Sequence, residues 1–227
     1  MNHLEFCVII FAKRGGSALK LLKSSIVFLA VVLLLWGALV LCAPKDDGIF
    51  HVVIDPGHGG KDPGAVVGDI YEKDINLAIA LMVRDKLARE EGIKVSMTRE
   101  NDTFLSLTER ADFANDLNAD LYVSVHANAL DDETYSGIFT FYSTDKPSSK
   151  KPAEIIQRAV SKATGAIDRG IRTEYFVVIR ETEMPAVLIE TGFMTCSEEL
   201  ALLIDPVYQA KVAEGIYDGV LAVISNH

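Results

Sequence analysis

Val52-Val53-Ile54-Asp55-Pro56-Gly57-His58-Gly59-Gly60 leaves this chain few ways to fold. A short apolar run that ends in a proline and a glycine reads as a buried strand running into a tight turn. A histidine follows, and two glycines after it keep the backbone thin. The layout presents one imidazole at the mouth of a sheet with room for a ligand. A turn histidine with no role has the same local pattern, so the weight comes from two similar arrangements downstream.

Glu72 opens a segment that reads as a helix to Glu91, with Ile75, Ile79, Met82 and Val83 at three- and four-residue steps and Gly92 as its stop. Lys94–Met97 is a second strand, and the capping box Ser106/Glu109 starts a helix to about Leu117. Leu121–Val125 is again a strand, and again a histidine, His126, follows it. Ile138–Tyr142 is another strand, the Ser/Lys/Pro cluster from Thr144 to Lys151 a loop, and Pro152 suits the first turn of a helix to Thr164. Tyr175–Ile179 and Ala186–Ile189 read as two more strands, the second running straight into Glu190. A helix capped by Ser197 and a terminal helix from about Val207 to Val223 complete the order. Strands separated by helices predict a single α/β domain with a mostly parallel sheet flanked by helices on both faces.

Ahead of that domain, Ile26 to Cys42 is almost continuously apolar, broken only by Gly37. Its length lies between a signal-peptide core and a comfortable membrane span. Lys20 and Lys23 precede it, so the positive-inside tendency puts everything after Pro44 outside the cytoplasm. The expected organisation is a basic region over 1–23, a signal or membrane anchor over 24–43, a linker over 44–50 and a folded domain over 51–227. An uncleaved anchor is the preferred reading. Lys13, Arg14, Lys20 and Lys23 against Glu5 make the first 43 residues net +3, so the −10 of the whole chain leaves −13 on the rest. A body this acidic carries no footprint for nucleic acid. Of the three cysteines, Cys7 and Cys42 lie in the N-terminal segment, so the exported domain has Cys196 alone and no internal disulfide. Such a domain rests on its core or on a metal.

Strands leading into His58, His126 and Glu190, with a helix that begins at Glu72, would bring four side chains to one sheet edge if the strands are parallel neighbours. Two imidazoles and a carboxylate can hold zinc with a fourth position open. A second carboxylate can move the proton that amide hydrolysis requires. The chain has five histidines; His3 and His227 are at the termini and His51 starts the first strand, at the wrong end. A site with two histidines therefore uses His58 and His126. Glu72 and Glu190 remain open on this ground, since a helix-start charge and a strand-end carboxylate are ordinary features.

Val53–Gly60, Tyr71-Glu72-Lys73-Asp74-Ile75-Asn76-Leu77, Ser124-Val125-His126-Ala127-Asn128 and Ile189-Glu190-Thr191-Gly192-Phe193 resemble the four signature blocks of the zinc-dependent N-acetylmuramoyl-L-alanine amidases, bacterial cell-wall hydrolases. The resemblance spans roughly residues 50–225 and implies a mixed, mostly parallel sheet flanked by helices. It implies that His58, Glu72 and His126 bind Zn2+ and that Glu190 is catalytic. It also implies cleavage of the peptidoglycan amide between N-acetylmuramic acid and L-alanine. Some members carry a long helical insertion that covers the zinc. Here Ala129 to Leu188 reads as strands, one helix and loops, so an open site is expected.

Asn128 is a candidate substrate contact, and Asn76, one turn after Glu72, a candidate to orient that carboxylate or to touch substrate. Asp62 and Arg99 read as structural, and Tyr175, Phe176 and Phe193 as core before groove. The partners expected are peptidoglycan and, through the N-terminal segment, the membrane; the chain is expected to be a monomer acting outside the cell membrane or in the wall. Two other readings use the same residues: another zinc peptidase or deacetylase of the wall, and a membrane-anchored regulatory protein without catalysis. Retention of all four residues counts against the second.

Overall fold

A computed structural model describes residues 48–226. The basic region, the apolar segment and most of the linker lie outside the described residues. Within them, six strands form one sheet in the order β4-β1-β5-β8-β6-β7. These are β1 (Phe50–Pro56), β4 (Ile93–Met97), β5 (Leu121–Asn128), β6 (Ile138–Tyr142), β7 (Asp168–Thr173) and β8 (Ala186–Phe193). β4, β1, β5 and β8 are mutually parallel, whereas β6 meets β8 antiparallel and pairs parallel with β7. The sheet is thus mixed and mostly parallel, as expected. A two-residue hairpin, β2 (Val66–Val67) and β3 (Ile70–Tyr71), leads into the first helix.

The central strands are apolar because both their faces are covered. Val52, Ile54, Val123, Val125, Val187 and Ile189 point to one face and pack under three helices, α1 (Glu72–Leu87), α3 (Lys150–Thr164) and α6 (Pro206–Ile224). α3 and α6 approach closely: a methyl group at Gly215 would meet the Val160 Cα at 2.5 Å. The opposite face carries Val53, Tyr122, Ala186 and Leu188, covered by α2 (Leu107–Asp116) and the single turn α4 (Val177–Arg180). This second cover is short, and the carboxyl ends of β5 and β8 extend beyond it. The capping box is present: Ser106 Oγ accepts from the Glu109 N–H, and the Glu109 carboxylate accepts from the Ser106 N–H.

Several elements differ from their sequence expectation. α1 ends at Leu87, its last buried residue, and Arg89 and Glu90 make tight turns back to Lys86 and Leu87 instead of continuing to Glu91. Tyr175–Ile179 is not a strand. Arg180 and Glu181 donate to the Phe176 and Val177 carbonyls, a helical turn that drives Val178 and Ile179 into the second core. The strand is Asp168–Thr173, an edge strand whose partly exposed residues give no apolar alternation to read. Ser197 is the first residue of α5 (Ser197–Leu203), with Cys196 in the cap position and no side-chain cap. β5 and β8 run on through Asn128 and Phe193, so His126 and Glu190 lie inside strands. Cys196 is buried against Phe139 and Phe193. No helix of the described residues is long and apolar enough to cross a membrane.

Candidate functional site

Past β1, Gly57 still donates to the Val125 carbonyl, and His58 then adopts a φ of 62°. A residue with a Cβ is held in that region at a cost of about 1–3 kcal/mol, offset by what surrounds it. Arg110, 2% exposed, donates to the Pro56 and His58 carbonyls and pairs with fully buried Asp55 at 2.7 Å. Thr98 and Ser124 donate to the two Asp55 oxygens at 2.6 and 2.7 Å. Burial pushes the Asp55 carboxyl up, but the Arg110 charge and these hydroxyls outweigh it and hold the pKa low. Arg99 donates to the carbonyls of Pro56, Gly57 and Lys73, joining the turn to the start of α1. Gly59 and Asp62 exchange backbone hydrogen bonds, and Asp62 Oδ2 lies 2.8 Å from His58 Nδ1. With Nδ1 so engaged, Nε2 faces the carboxylate of Glu72 at 3.1 Å.

Glu72 is the first residue of α1 and is buried. Its Oε1 lies 2.9 Å from His126 Nδ1 and accepts from Asn76 Nδ2 and the Ala127 N–H; its Oε2 accepts from the Ala65 N–H. The His58 and His126 rings meet edge to face at 4.9 Å. One ligand atom each of His58, Glu72 and His126 fall within 4.8 Å of one another. Backbone must come close for this. A methyl group at Gly57 would sit 2.2 Å from the His126 ring, and one at Gly64 would sit 2.5 Å from Glu72 Oε2. Burial disfavours the Glu72 charge, yet His126 and His58 keep its pKa well below the usual range. Burial likewise opposes a charged His58, but Glu72 and Asp62 win and raise it to about 9.

Glu190 is the register partner of His126 on the neighbouring strand, so both side chains project from the same face. It is 8% exposed, and its Oε2 has no hydrogen-bond partner. Burial pushes its pKa up to about 7. A cleft of about 390 Å³ is lined by His58, Glu72, His126, Asn128, Phe176 and Glu190. A second, of about 450 Å³, extends from the two histidines towards Phe104 and Ser106.

All four residues picked from the sequence therefore converge on one end of the sheet. His51 lies at the other end of β1, bonded to Ser96. Asn128 lines the cleft, its Oδ1 accepting from the Ala129 N–H. Asn76 is fully buried beneath Glu72 and Gly57, which leaves it no surface for a substrate and puts it in the orienting position. Phe193 is core, Phe176 is on the rim of the cleft, and Tyr175 is 61% exposed instead of packed. Arg99 is structural. Asp62, read as structural, touches His58 directly; its signal is the four-residue spacing across a glycine turn. The Asp55–Arg110 pair escaped notice because 55 positions separate its members. Between His126 and Glu190 the chain forms α3, which packs on the other face of the sheet, and the single turn α4, whose Val177 and Val178 line one wall of the cleft.

The Amidase_3 family profile, N-acetylmuramoyl-L-alanine amidase, matches residues 52–222. N-acetylmuramoyl-L-alanine amidase LytC of Bacillus subtilis is 42% identical over 75% of this chain, which spans 35% of that relative's length. The germination-specific N-acetylmuramoyl-L-alanine amidase of Bacillus subtilis is 37% identical over 75% of this chain and 78% of its own length. The solved catalytic domain of CwlV, an N-acetylmuramoyl-L-alanine amidase from Bacillus (Paenibacillus) polymyxa var. colistinus, superposes with a TM-score of 0.76 at 43% identity, covering 78% of this chain and 99% of that one. A profile match over most of the described residues, a shared fold and these identities agree: the chain belongs to the N-acetylmuramoyl-L-alanine amidase family.

Proposed function

We propose that this protein hydrolyses the amide between the lactyl group of N-acetylmuramic acid and L-alanine in peptidoglycan, with zinc held by His58, Glu72 and His126 and with Glu190 as the catalytic carboxylate. The observation that carries the reading is the pairing of a closed His-Glu-His set with a buried carboxylate one strand away that keeps an oxygen unpartnered. Two imidazoles and a carboxylate are a donor set suited to catalytic zinc, and the three ligand atoms are close enough to share one ion. Zinc, when bound, lowers the pKa of a water to about 7 and polarises a carbonyl oxygen.

The chain's own residues do the rest. Asp62 holds His58 Nδ1, so that Nε2, turned towards Glu72, is the nitrogen that would coordinate. Asn76 and the Ala65 and Ala127 N–H groups fix Glu72. Glu190 takes a proton from the attacking water as oxygen bonds to the amide carbon. It gives that proton to the L-alanine nitrogen as the C–N bond breaks, leaving a lactyl carboxylate and a free amine. A carboxyl with a pKa near neutrality suits both transfers. Asn128, at the wall of the cleft, contacts the substrate.

The same reading places the catalytic domain over 51–227 outside the cell membrane or in the wall. Residues 24–43 serve as its anchor or signal, 1–23 as a basic cytoplasmic flank and 44–50 as a linker, and the protein acts as a monomer. Its test is digestion of purified peptidoglycan by the full chain, with mass spectrometry of the products. New L-alanine amino termini and peptide-free glycans, lost on chelation and restored by zinc, are the expected result. Products cut at another bond would move the activity to a different wall hydrolase.

A further inference from the structure

The face of the sheet that carries His126 and Glu190 does not stop at β8. Phe139 is the register partner of Glu190 on β6, and Phe141 the partner of Leu188, so both aromatic rings continue the same face. Phe141 meets Phe176, a rim residue of the cleft, at 5.3 Å, and Phe139 meets Phe141 at 6.0 Å. On the next strand Arg172 is the partner of Phe141. Its guanidinium carbon lies 3.9 Å from the centre of the Phe139 ring, and its Nη2 donates to Tyr135 Oη. Arg169 stands on the Tyr135 ring at 4.5 Å, where it donates to the Ser136 carbonyl.

Arg172 is exposed, and no carboxylate among the described residues pairs with it. In a chain of net charge −10, a cation fixed by aromatic stacking and left without a counter-ion is aimed at an anion from outside. We propose that Arg172, seated on Phe139 beside Glu190, binds the free carboxylate of the stem-peptide residue that follows L-alanine. The inference rests on the amidase reading, which puts the scissile amide at Glu190.

Reach supports it. Neighbouring strands lie about 4.8 Å apart, so a guanidinium resting on the residue beside Glu190 is within roughly 10 Å of the Glu190 side chain. Two residues of extended peptide cover about 7 Å. The second stem residue is joined onward through its side-chain carboxyl, so its α-carboxylate is free and falls within that span. Wall chemistries that convert this carboxylate to an amide remove the charge. The subsite therefore makes the protein selective for the unamidated form. Planar bidentate pairing suits guanidinium to carboxylate over carboxamide.

The experiment compares two soluble substrates with the zinc-loaded full chain, muramyl-L-alanyl-D-glutamate linked through its side chain and the same molecule with its α-carboxylate amidated. The expected result is a kcat/KM about five-fold higher for the carboxylate form, carried by KM. Arg172→Gln brings the ratio of the two towards one, Arg172→Lys recovers part of it, and Arg158→Gln on helix α3 leaves it unchanged. Equal rates on both substrates in the unmodified protein, or a ratio that survives Arg172→Gln, would overturn the subsite while leaving the amidase reading intact. Cleavage of neither substrate would sink both. Equal rates in the unmodified protein overturn the subsite without any variant, and Arg172→Lys, whose partial recovery of the ratio is expected, stands in where Arg172→Gln does not fold.

Discussion

His58 and Glu72 engage every side-chain polar atom with a neighbour, whereas Glu190, one strand over from His126, keeps Oε2 unpartnered. The first region is fixed from three sides: Arg110 and Arg99 hold the carbonyls of the turn, Asp62 holds the His58 ring, and Asn76 and two backbone N–H groups hold Glu72. The second is held by strand pairing and burial. A coordinating group works by staying where it is, and every hydrogen bond to it narrows its geometry. A proton-transfer group must gain and lose a hydrogen, and an extra partner would favour one of its two states. The difference in hydrogen bonding thus matches the two roles proposed for these residues, holding for His58 and Glu72 and reacting for Glu190.

Replacement of Glu190 by Gln strikes the reacting side alone. Hydrolysis should fall by at least about 100-fold, while zinc measured by atomic absorption stays at the level of the unmodified protein. Persistence of full activity would remove Glu190 from the proton path. Arg110→Ala attacks the holding side at its base by leaving Asp55 buried and unpaired. A loss of about 3–5 kcal/mol in urea unfolding is expected, and a cost under 1 kcal/mol would mean that the turn does not depend on the pair. Asp62→Ala is milder: the fold should persist and zinc affinity drop about 10–100-fold. Unchanged affinity would show that the His58 ring needs no orienting partner. The smallest change is Ile216→Val on α6, in the core on the face of the sheet opposite His126 and Glu190. It should cost about 0.5–1.5 kcal/mol of stability with no effect on zinc affinity, so any loss of zinc there would mean the site is coupled to the opposite core.

The histidines were legible because few positions compete for the role, with termini and the wrong strand end eliminating three of five. The parallel core was legible because β1, β5 and β8 are buried on both faces and carry mostly apolar runs, with Ser124 the one polar residue within Leu121–Val125. What supports the site was less so. Arg110 acts on residues more than 50 positions away, and nothing local marks it. β7 lies at an edge, where burial imposes no alternation, and the β-favouring residues at 175–179 drew the strand assignment to themselves. Arg172 stayed silent for the same reason: its meaning comes from the ring of Phe139 across a register that only the folded sheet supplies.

The order of the sheet has a consequence in time. β8 lies between β5 and β6, yet it is the last strand of the chain to be made. Until residues 186–193 have emerged and inserted, β6 and β7 have no partner to join them to β5, and Glu190 is absent from the face that carries His126. Pairings of such long sequence separation form late. Glu190, the proposed proton-transfer group, and the closure of the sheet therefore arrive in one event, so on the proposed mechanism a half-made chain is also an inert one.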